Sequence, residues 1–508
     1  MTRQAAIAAP NPIATQAGQA ALADGGNAVD VAIAAMTAAS VSEPGLISPL
    51  GGCYINIWPA QGSPVVIDGN VEMPGREASA EQFGQGLQEC HTTYGGGLTT
   101  FVGPGSVATP GMFSAMGWAH ENHGSAPWSS LLDPAARAAR AGFPVSATAA
   151  SYSELVSNKI FAWDPKTREV YTQETGPLKV GQIIVDEDLA GALEQIGTEG
   201  ATSLYTGDLA QAMAADMKER GGLLGLADLQ AYRPMVRPAL RTTFGEWDLA
   251  CNPPPAIGGP VLTAMLRLMA ASKEPLSTSG MAHIMRQVLD LRLGTVDIAP
   301  DLEVAGHGLL ETIASMDGLG MPTTASTAHV SVVDNDGVAC AITASSGYGS
   351  GMTIAGTGML ANNALGEPEL NRLGLHALTS GTRMASNMAP TTGMHADGSR
   401  LAIGTPGADR ITTALAQVLW HFCQSGQGLQ EAIDLPRMHI RHLDDGNVRI
   451  DHEQDGTLTA DLAATGLPLH EHPPHAMFFG GVGGAVRHSD GALSAGADPR
   501  RASATAVG

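Results

Sequence analysis

Apolar positions change their spacing twice along this chain, and those changes set its outline. Residues 12–41 form two alanine-rich runs broken by Gly25-Gly26, a helix stop and restart. Residues 53–58 and 64–68 are strand-like. From about 105 to 300 the pattern is mostly helical, as in 127–142, 186–197 and 279–293. Segments 237–243 and 247–251 interrupt it with strand character. After position 327 the alternation of strands returns. Val330 and Val332 mark one strand and residues 339–342 the next, with hairpin turn chemistry at Asp334-Asn335-Asp336-Gly337 between them. An amphipathic helix runs from 408 to about 423, and short strands follow to the end.

Strand-rich ends around a helical middle predict an α+β fold, a four-layer αββα sandwich. The 508 residues would fill two to four average domains or one large body. No repeat and no Pro/Ser linker divides them. The loosest-looking stretch is 303–326, with Gly306, Gly308, Gly318 and Gly320, which reads as a flexible lead into position 327.

Composition narrows the function. Lys and Arg number 27 against 49 Asp and Glu, a net charge of −22. Phosphate binding needs a cationic surface, so nucleic acid and anionic membranes are poor partners. The cysteines (Cys53, Cys90, Cys251, Cys340, Cys423) are odd in number and lack CxxC spacing, against a disulfide framework or structural zinc. Cys340 and Cys423 lie in apolar stretches and read as packing residues. No run approaches the length of a membrane span, and the first residues make no secretory h-region, so a cytoplasmic protein is expected. His470, His472 and His475 have metal-ligand types, but the prolines among them read as a surface turn, and no metal or cofactor is expected. His439 and His442 read as a solvated strand edge, and His329 as a packed strand histidine.

The chemistry concentrates at Thr327, a hydroxyl residue between small neighbours that opens a buried strand. Breaking the Ser326–Thr327 bond would give Thr327 a free amine beside its own hydroxyl, uniting nucleophile and base in one residue. A strand-start threonine also serves plain β-propensity, and the string alone leaves both readings open.

Context decides between them. The helix around Gly25 to Ala32, the segment TAHVSVVDNDG from Thr327 to Gly337, the turn PGADRI from Pro406 to Ile411, and the closing GADPR from Gly496 to Arg500 occur in that order. Together they resemble the γ-glutamyltransferase family of N-terminal-nucleophile hydrolases, nearly end to end. The resemblance implies the αββα fold and self-cleavage into segments 1–326 and 327–508. These would intertwine as one domain, a heterodimer open to higher assembly. It implies Thr327 as nucleophile with its freed amine as base, and Ser345 as the hydroxyl that orients it. The amides of Gly407 and Ala408 would form the oxyanion hole. Relatives carry glycine where this chain has Ala408, a change expected to leave the backbone donors in place.

Substrate contacts are where the likeness thins. The arginine that clamps a glutamyl α-carboxylate falls on Asn70. Arg76 downstream is either its substitute or a surface arginine. The paired serines become Ser386-Asn387. After Asn362-Asn363, the amine-binding positions hold Ala364 and Glu367. The leading expectation is an autoprocessing threonine hydrolase of γ-glutamyl amides of the glutathione type, passing the acyl group to water or an amine. The alternative keeps the machinery on a short dicarboxylic or oxo-acid amide, as in oxamate-hydrolase and cephalosporin-acylase branches. A third reading is an inactive metabolite-binding scaffold.

Overall fold

The computed structural model describes residues 3–92, 97–172, 176–272, 276–315, 327–443 and 445–508. Two antiparallel sheets form its centre. The first runs in the order Ala504–Val507, Ala5–Ala9, Ala328–Asp334, Ala339–Ser345, Gly52–Trp58, Val65–Gly69, Met235–Pro238. The second runs Leu493–Ala497, Gly483–Arg487, Arg400–Gly404, Thr391–His395, Trp247–Cys251, Leu240–Phe244. In the first sheet, strands from before and after position 327 are neighbours: Ile7 pairs with Val332 on one side and Ala506 on the other.

The two sheets pack through small side chains. Ala6, Ala250, Ala339, Ala341, Ala402 and Ala485 fill the layer between them with Val333 and Trp58. Helices Pro12–Ala23 and Ala28–Ser42 cover the outer face of the first sheet, and Gly258–Ala270 and Arg410–Leu419 that of the second. This is the expected four-layer αββα sandwich.

Helix Ala28–Ser42 is buried over its whole length, which accounts for its alanine-rich sequence without a polar face. Its start is fixed twice. The Asn27 side chain accepts from the Val29 and Asp30 amides while the Asp30 carboxylate accepts from the Asn27 amide, a capping box. Asp334, the last residue of the strand that follows Thr327, accepts the Ala28 amide at 3.0 Å and the Val338 amide at 2.9 Å. One carboxylate therefore closes the hairpin and docks the buried helix against it.

Four expectations need correction. Segment 237–243 is two strands, Met235–Pro238 and Leu240–Phe244, in different sheets, because the chain crosses between layers at Pro238-Ala239. The first part of 303–326 is not a loop but helix Leu302–Ser315, with Gly306 packed against Pro254. Gly318, Gly320 and Ser326 lie outside the described residues. His439 and His442 are buried, not solvated. His442 bonds Asp290 of the overlying helix Thr278–Thr295 at 2.6 Å, and His439 bonds Thr413 at 3.0 Å. His470 and His472 sit on strand Leu469–His472, parallel to Val448–Glu453, instead of a turn. Cys340 is buried as expected, while Cys423 is only half-buried. Among the described residues no helix is long and apolar enough to cross a membrane.

The alanine layer sets a strict size limit. Ala341→Leu adds three carbons where the sheets meet, and overpacking of this kind costs about 1–3 kcal/mol. A urea titration of the variant is expected to show that loss; an unchanged midpoint would mean the sheets separate freely.

Candidate active site

Thr327 stands immediately before strand Ala328–Asp334 and is 3% exposed. That strand pairs with Ala339–Ser345 in the register Ala328↔Ala344 and His329↔Thr343. One step further places Thr327 opposite Ser345, and both line one cavity. The same cavity is lined by Asn70, Glu367, Ser386, Asn387 and Ala408. Residues far apart in sequence, each singled out as a candidate, thus share one wall. The Ser345 hydroxyl accepts the Gly347 amide at 3.1 Å.

His329, next but one to the nucleophile, is enclosed. Its Nδ1 and Nε2 lie 2.8 Å and 2.7 Å from the hydroxyls of Thr343 and Ser331. Burial pushes its pKa down to about 3, so the ring is neutral at ordinary pH. It ties neighbouring strands together and has no proton-transfer role toward the cavity. Gly404 leaves it room; a Cβ there would stand 2.3 Å from the ring.

The turn Pro406-Gly407-Ala408 is strained. Gly407 has φ 132°, and a Cβ on it would lie 2.9 Å from Gly480 Cα. Ala408 has φ 71°, a left-handed conformation that costs a residue with a Cβ about 1–2 kcal/mol. The alanine is therefore less innocent than its size implied: its methyl is buried against the core. Neither amide donates to another group among the described residues. Helix Arg410–Leu419 starts two residues later than expected and ends in a wider π-turn at Trp420–Gln424. Asp409 does not cap it through its side chain. Burial raises the Asp409 pKa, but Arg410 at 2.7 Å and His439 at 3.3 Å overcome this and hold it below the usual carboxylate range.

The candidate substrate residues divide into two groups. Glu367 is 2% exposed and its Oε2 has no hydrogen-bond partner. Burial, and then the nearby Glu369, raise its pKa well above the ordinary value. Gly347 makes its place, since a Cβ there would meet Glu367 Oε1 at 2.6 Å. Both amide atoms of Asn387 are buried without partners, and the Ser386 hydroxyl accepts the Met388 amide at 3.3 Å. Asn70 lines the cavity, but its Nδ2 donates to Met384 O at 2.8 Å.

Arg76 and Asn363 lie elsewhere. Asp228 takes the Gly75 and Arg76 amides at 3.0 Å each and the Arg76 guanidinium at 3.3 Å, drawing that side chain away from the cavity lining. Asn363 is fully buried behind the wall, bonding the Tyr348 amide at 2.6 Å and Thr100 Oγ1 at 3.0 Å. It shapes the loop that carries Gly347. The nearest thing to a metal cluster among the described residues is Asp451, His470 and His472. Its carboxylate already accepts from Arg449 at 3.1 Å.

A second cavity, about 400 Å³, opens on Thr327 from another side and is lined by Glu43, Thr148, Pro406, Arg501 and Ser503. Sequence reasoning missed Glu43. It follows helix Ala28–Ser42 directly and looks like a helix end, yet it is fully buried and bonded by Asn11 at 2.7 Å and Ser146 at 3.0 Å. Burial pushes its pKa up to about 7, against the pull of those hydrogen bonds and Arg501.

A threonine at the head of a central strand of two stacked sheets, sharing a cavity lining with Ala408 of the turn, is the arrangement expected of the N-terminal-nucleophile hydrolase class. A solved cephalosporin acylase from Bacillus halodurans shares this fold, with a TM-score of 0.81 at 22% identity over 99% of this chain and 96% of that one. The chain belongs to the gamma-glutamyltranspeptidase family, whose model matches residues 14–296 and 310–508. Among curated relatives, the Acylase ACY 1 proenzyme of a Pseudomonas species is 28% identical over 98% of this chain and 92% of its own length. Glutathione hydrolase 5 proenzyme of Mus musculus is 30% identical over 86% and 82%. The Escherichia coli glutathione hydrolase proenzyme is 27% identical over 87% and 82%.

The Glu43 carboxyl makes stability depend on pH. Between 4.5 and about 7 the folded chain holds a proton that an unfolded glutamate has released, so this group's contribution falls as pH rises through that window. Glu43→Gln lacks the fall. Relative to the parent, its unfolding free energy is expected to gain about 3 kcal/mol between pH 4.5 and 8, from about 1.36 kcal/mol per unit. Urea titrations at both pH values check this, and parallel curves would show that Glu43 titrates normally.

Proposed function

We propose that the protein is a self-activating threonine amide hydrolase and acyltransferase, and that the precursor cuts its own Ser326–Thr327 bond. The products would be segments of 326 and 182 residues that stay interleaved in the first sheet. The observation that carries this reading is the convergence of Thr327, Ser345, Ala408 and the buried polar groups of Glu367 and Asn387 on one cavity, with the unbonded Gly407 amide directly before Ala408.

In the reaction, Thr327 Oγ1 attacks the amide carbonyl and its proton passes to the freed α-amine, whose ordinary pKa of about 7.7–8.0 suits neutral pH. The Gly407 and Ala408 amides receive the oxyanion. The proton then moves to the leaving amine as the C–N bond breaks, leaving an ester on Thr327. Water or another amine takes the acyl group and restores the hydroxyl. Ser345 orients Oγ1 throughout.

The relatives' names bracket the acyl group: glutathione hydrolases on one side, acylases on the other. A γ-glutamyl amide is the reference donor. Among the described residues, the lining of the Thr327–Glu367 cavity holds no arginine or lysine to pair an acyl carboxylate, of either a glutamyl or a glutaryl group.

Self-cleavage is tested by a denaturing gel of purified protein. Two bands matching 326 and 182 residues are expected for the parent. Thr327→Ala should stay full-length and lose amidase activity altogether, and Thr327→Ser should cut partly. Efficient cutting of the alanine variant would remove Thr327 from the mechanism.

A further inference from the structure

The cavity beyond Thr327 has an unusual charge inventory. Its lining holds one ionisable carboxyl, Glu367, and among the described residues no cation at all. Arg501 lines the separate cavity on the other side of Thr327, and the three arginines nearest this lining are committed. Arg76 is held by Asp228 at 3.3 Å. Arg383 lines the neighbouring cleft, bonded to Glu72 at 2.9 Å and to Asn70 O at 3.1 Å, with its guanidinium 4.5 Å from the Tyr232 ring centroid. Arg372 belongs to a neighbouring cleft that shares only the Leu370 and Ala385 walls, and its Nε donates to Glu369 O at 3.1 Å. Asn70, whose amide might have bound a carboxylate, donates to Met384 O instead.

Against this stands an acceptor without a donor. Glu367 Oε2 is buried and unpartnered, as are Oδ1 and Nδ2 of Asn387 on the same lining. Buried polar groups of this kind are costly unless something satisfies them.

Resting on the amide-hydrolase reading above, we infer that this pocket selects acyl groups that carry an ammonium and no carboxylate. An ammonium seated at Glu367 donates to its orphaned oxygen and takes the place of the proton that burial otherwise keeps there. A carboxylate on the same acyl group would enter a dry, acidic pocket with no counter-charge, an uncompensated burial that is strongly unfavourable. The donor class is thus the ω-amino acyl amide about as long as glutamyl. Both the γ-glutamyl and the glutaryl group carry a carboxylate this pocket does not pair. Glu367 is then the residue that determines specificity, and Asn387 accompanies it with one acceptor and one donor pair.

Four p-nitroanilides that differ only at the far end of the acyl chain separate the possibilities: 4-aminobutyryl, γ-glutamyl, glutaryl and butyryl. Initial rates on the purified, self-cleaved protein, corrected for enzyme-free release, give kcat/KM for each. The 4-aminobutyryl anilide is expected to exceed each of the others by about tenfold or more, the scale of a hydrogen-bonded charge. Glu367→Gln, accepted for measurement only if it self-cleaves, should bring its 4-aminobutyryl rate down to its own butyryl rate. Product inhibition of the parent enzyme supplies a measurement that needs no variant: 4-aminobutyrate should compete where glutarate does not. A preference for γ-glutamyl or glutaryl, or stronger inhibition by glutarate, overturns the inference while the amide-hydrolase reading stands. Self-cleaved protein that turns over none of the four overturns that reading and the inference with it.

Discussion

The antiparallel pairing of Ala328–Asp334 with Ala339–Ser345 is the constraint on which the site rests. It sets Thr327 at the head of a strand in the interior of the first sheet and brings Ser345 across from it. It also turns the His329 ring to the hydroxyls of Thr343 and Ser331, where burial keeps it neutral. The turn closing the hairpin is tied by Asp334 to the first amide of a wholly buried helix. Disturbing that helix therefore shifts the nucleophile, although the two are far apart in sequence.

The second sheet adds what the first cannot. Strand Arg400–Gly404 ends where the Pro406-Gly407-Ala408 turn begins, and thin alanine packing keeps the two sheets close enough for that turn to reach Thr327. The strain at Ala408 accompanies this placement: a residue that lines the cavity holds a positive φ. Asp409, Arg410 and His439 brace the turn from behind, a charged cluster whose role is positional.

Much of this was legible in the sequence, for a physical reason. Turns, glycines and a nucleophile at a strand start are local demands on the backbone, and Thr327 to Gly337 and Pro406 to Ile411 show them within a few residues. Contacts made across the fold were not local. Arg76 is six positions from Asn70, yet the turn at Gly75, with φ 106°, and a buried Asp228 draw it away. Glu43 lies beyond the matched Gly25 to Ala32 segment, and only burial among Asn11, Ser146 and Arg501 makes it a titrating group beside Thr327. The run 237–243 had even strand character across a change of sheet, because period alone does not say which layer a strand joins. His439 and His442 needed the overlying helices to show that they are buried.

The interleaving of the first sheet has a kinetic meaning. Strand Ala5–Ala9 is hydrogen-bonded on both edges to strands that follow Thr327. In an uncut chain those ladders close within one molecule, at the modest entropic penalty of loop closure. After scission the same ladders join two polypeptides, so reassembly from the denatured state becomes a second-order encounter that slows on dilution. The cut form would then persist through slow unfolding instead of ready refolding, and its lifetime, more than its equilibrium stability, would measure its robustness.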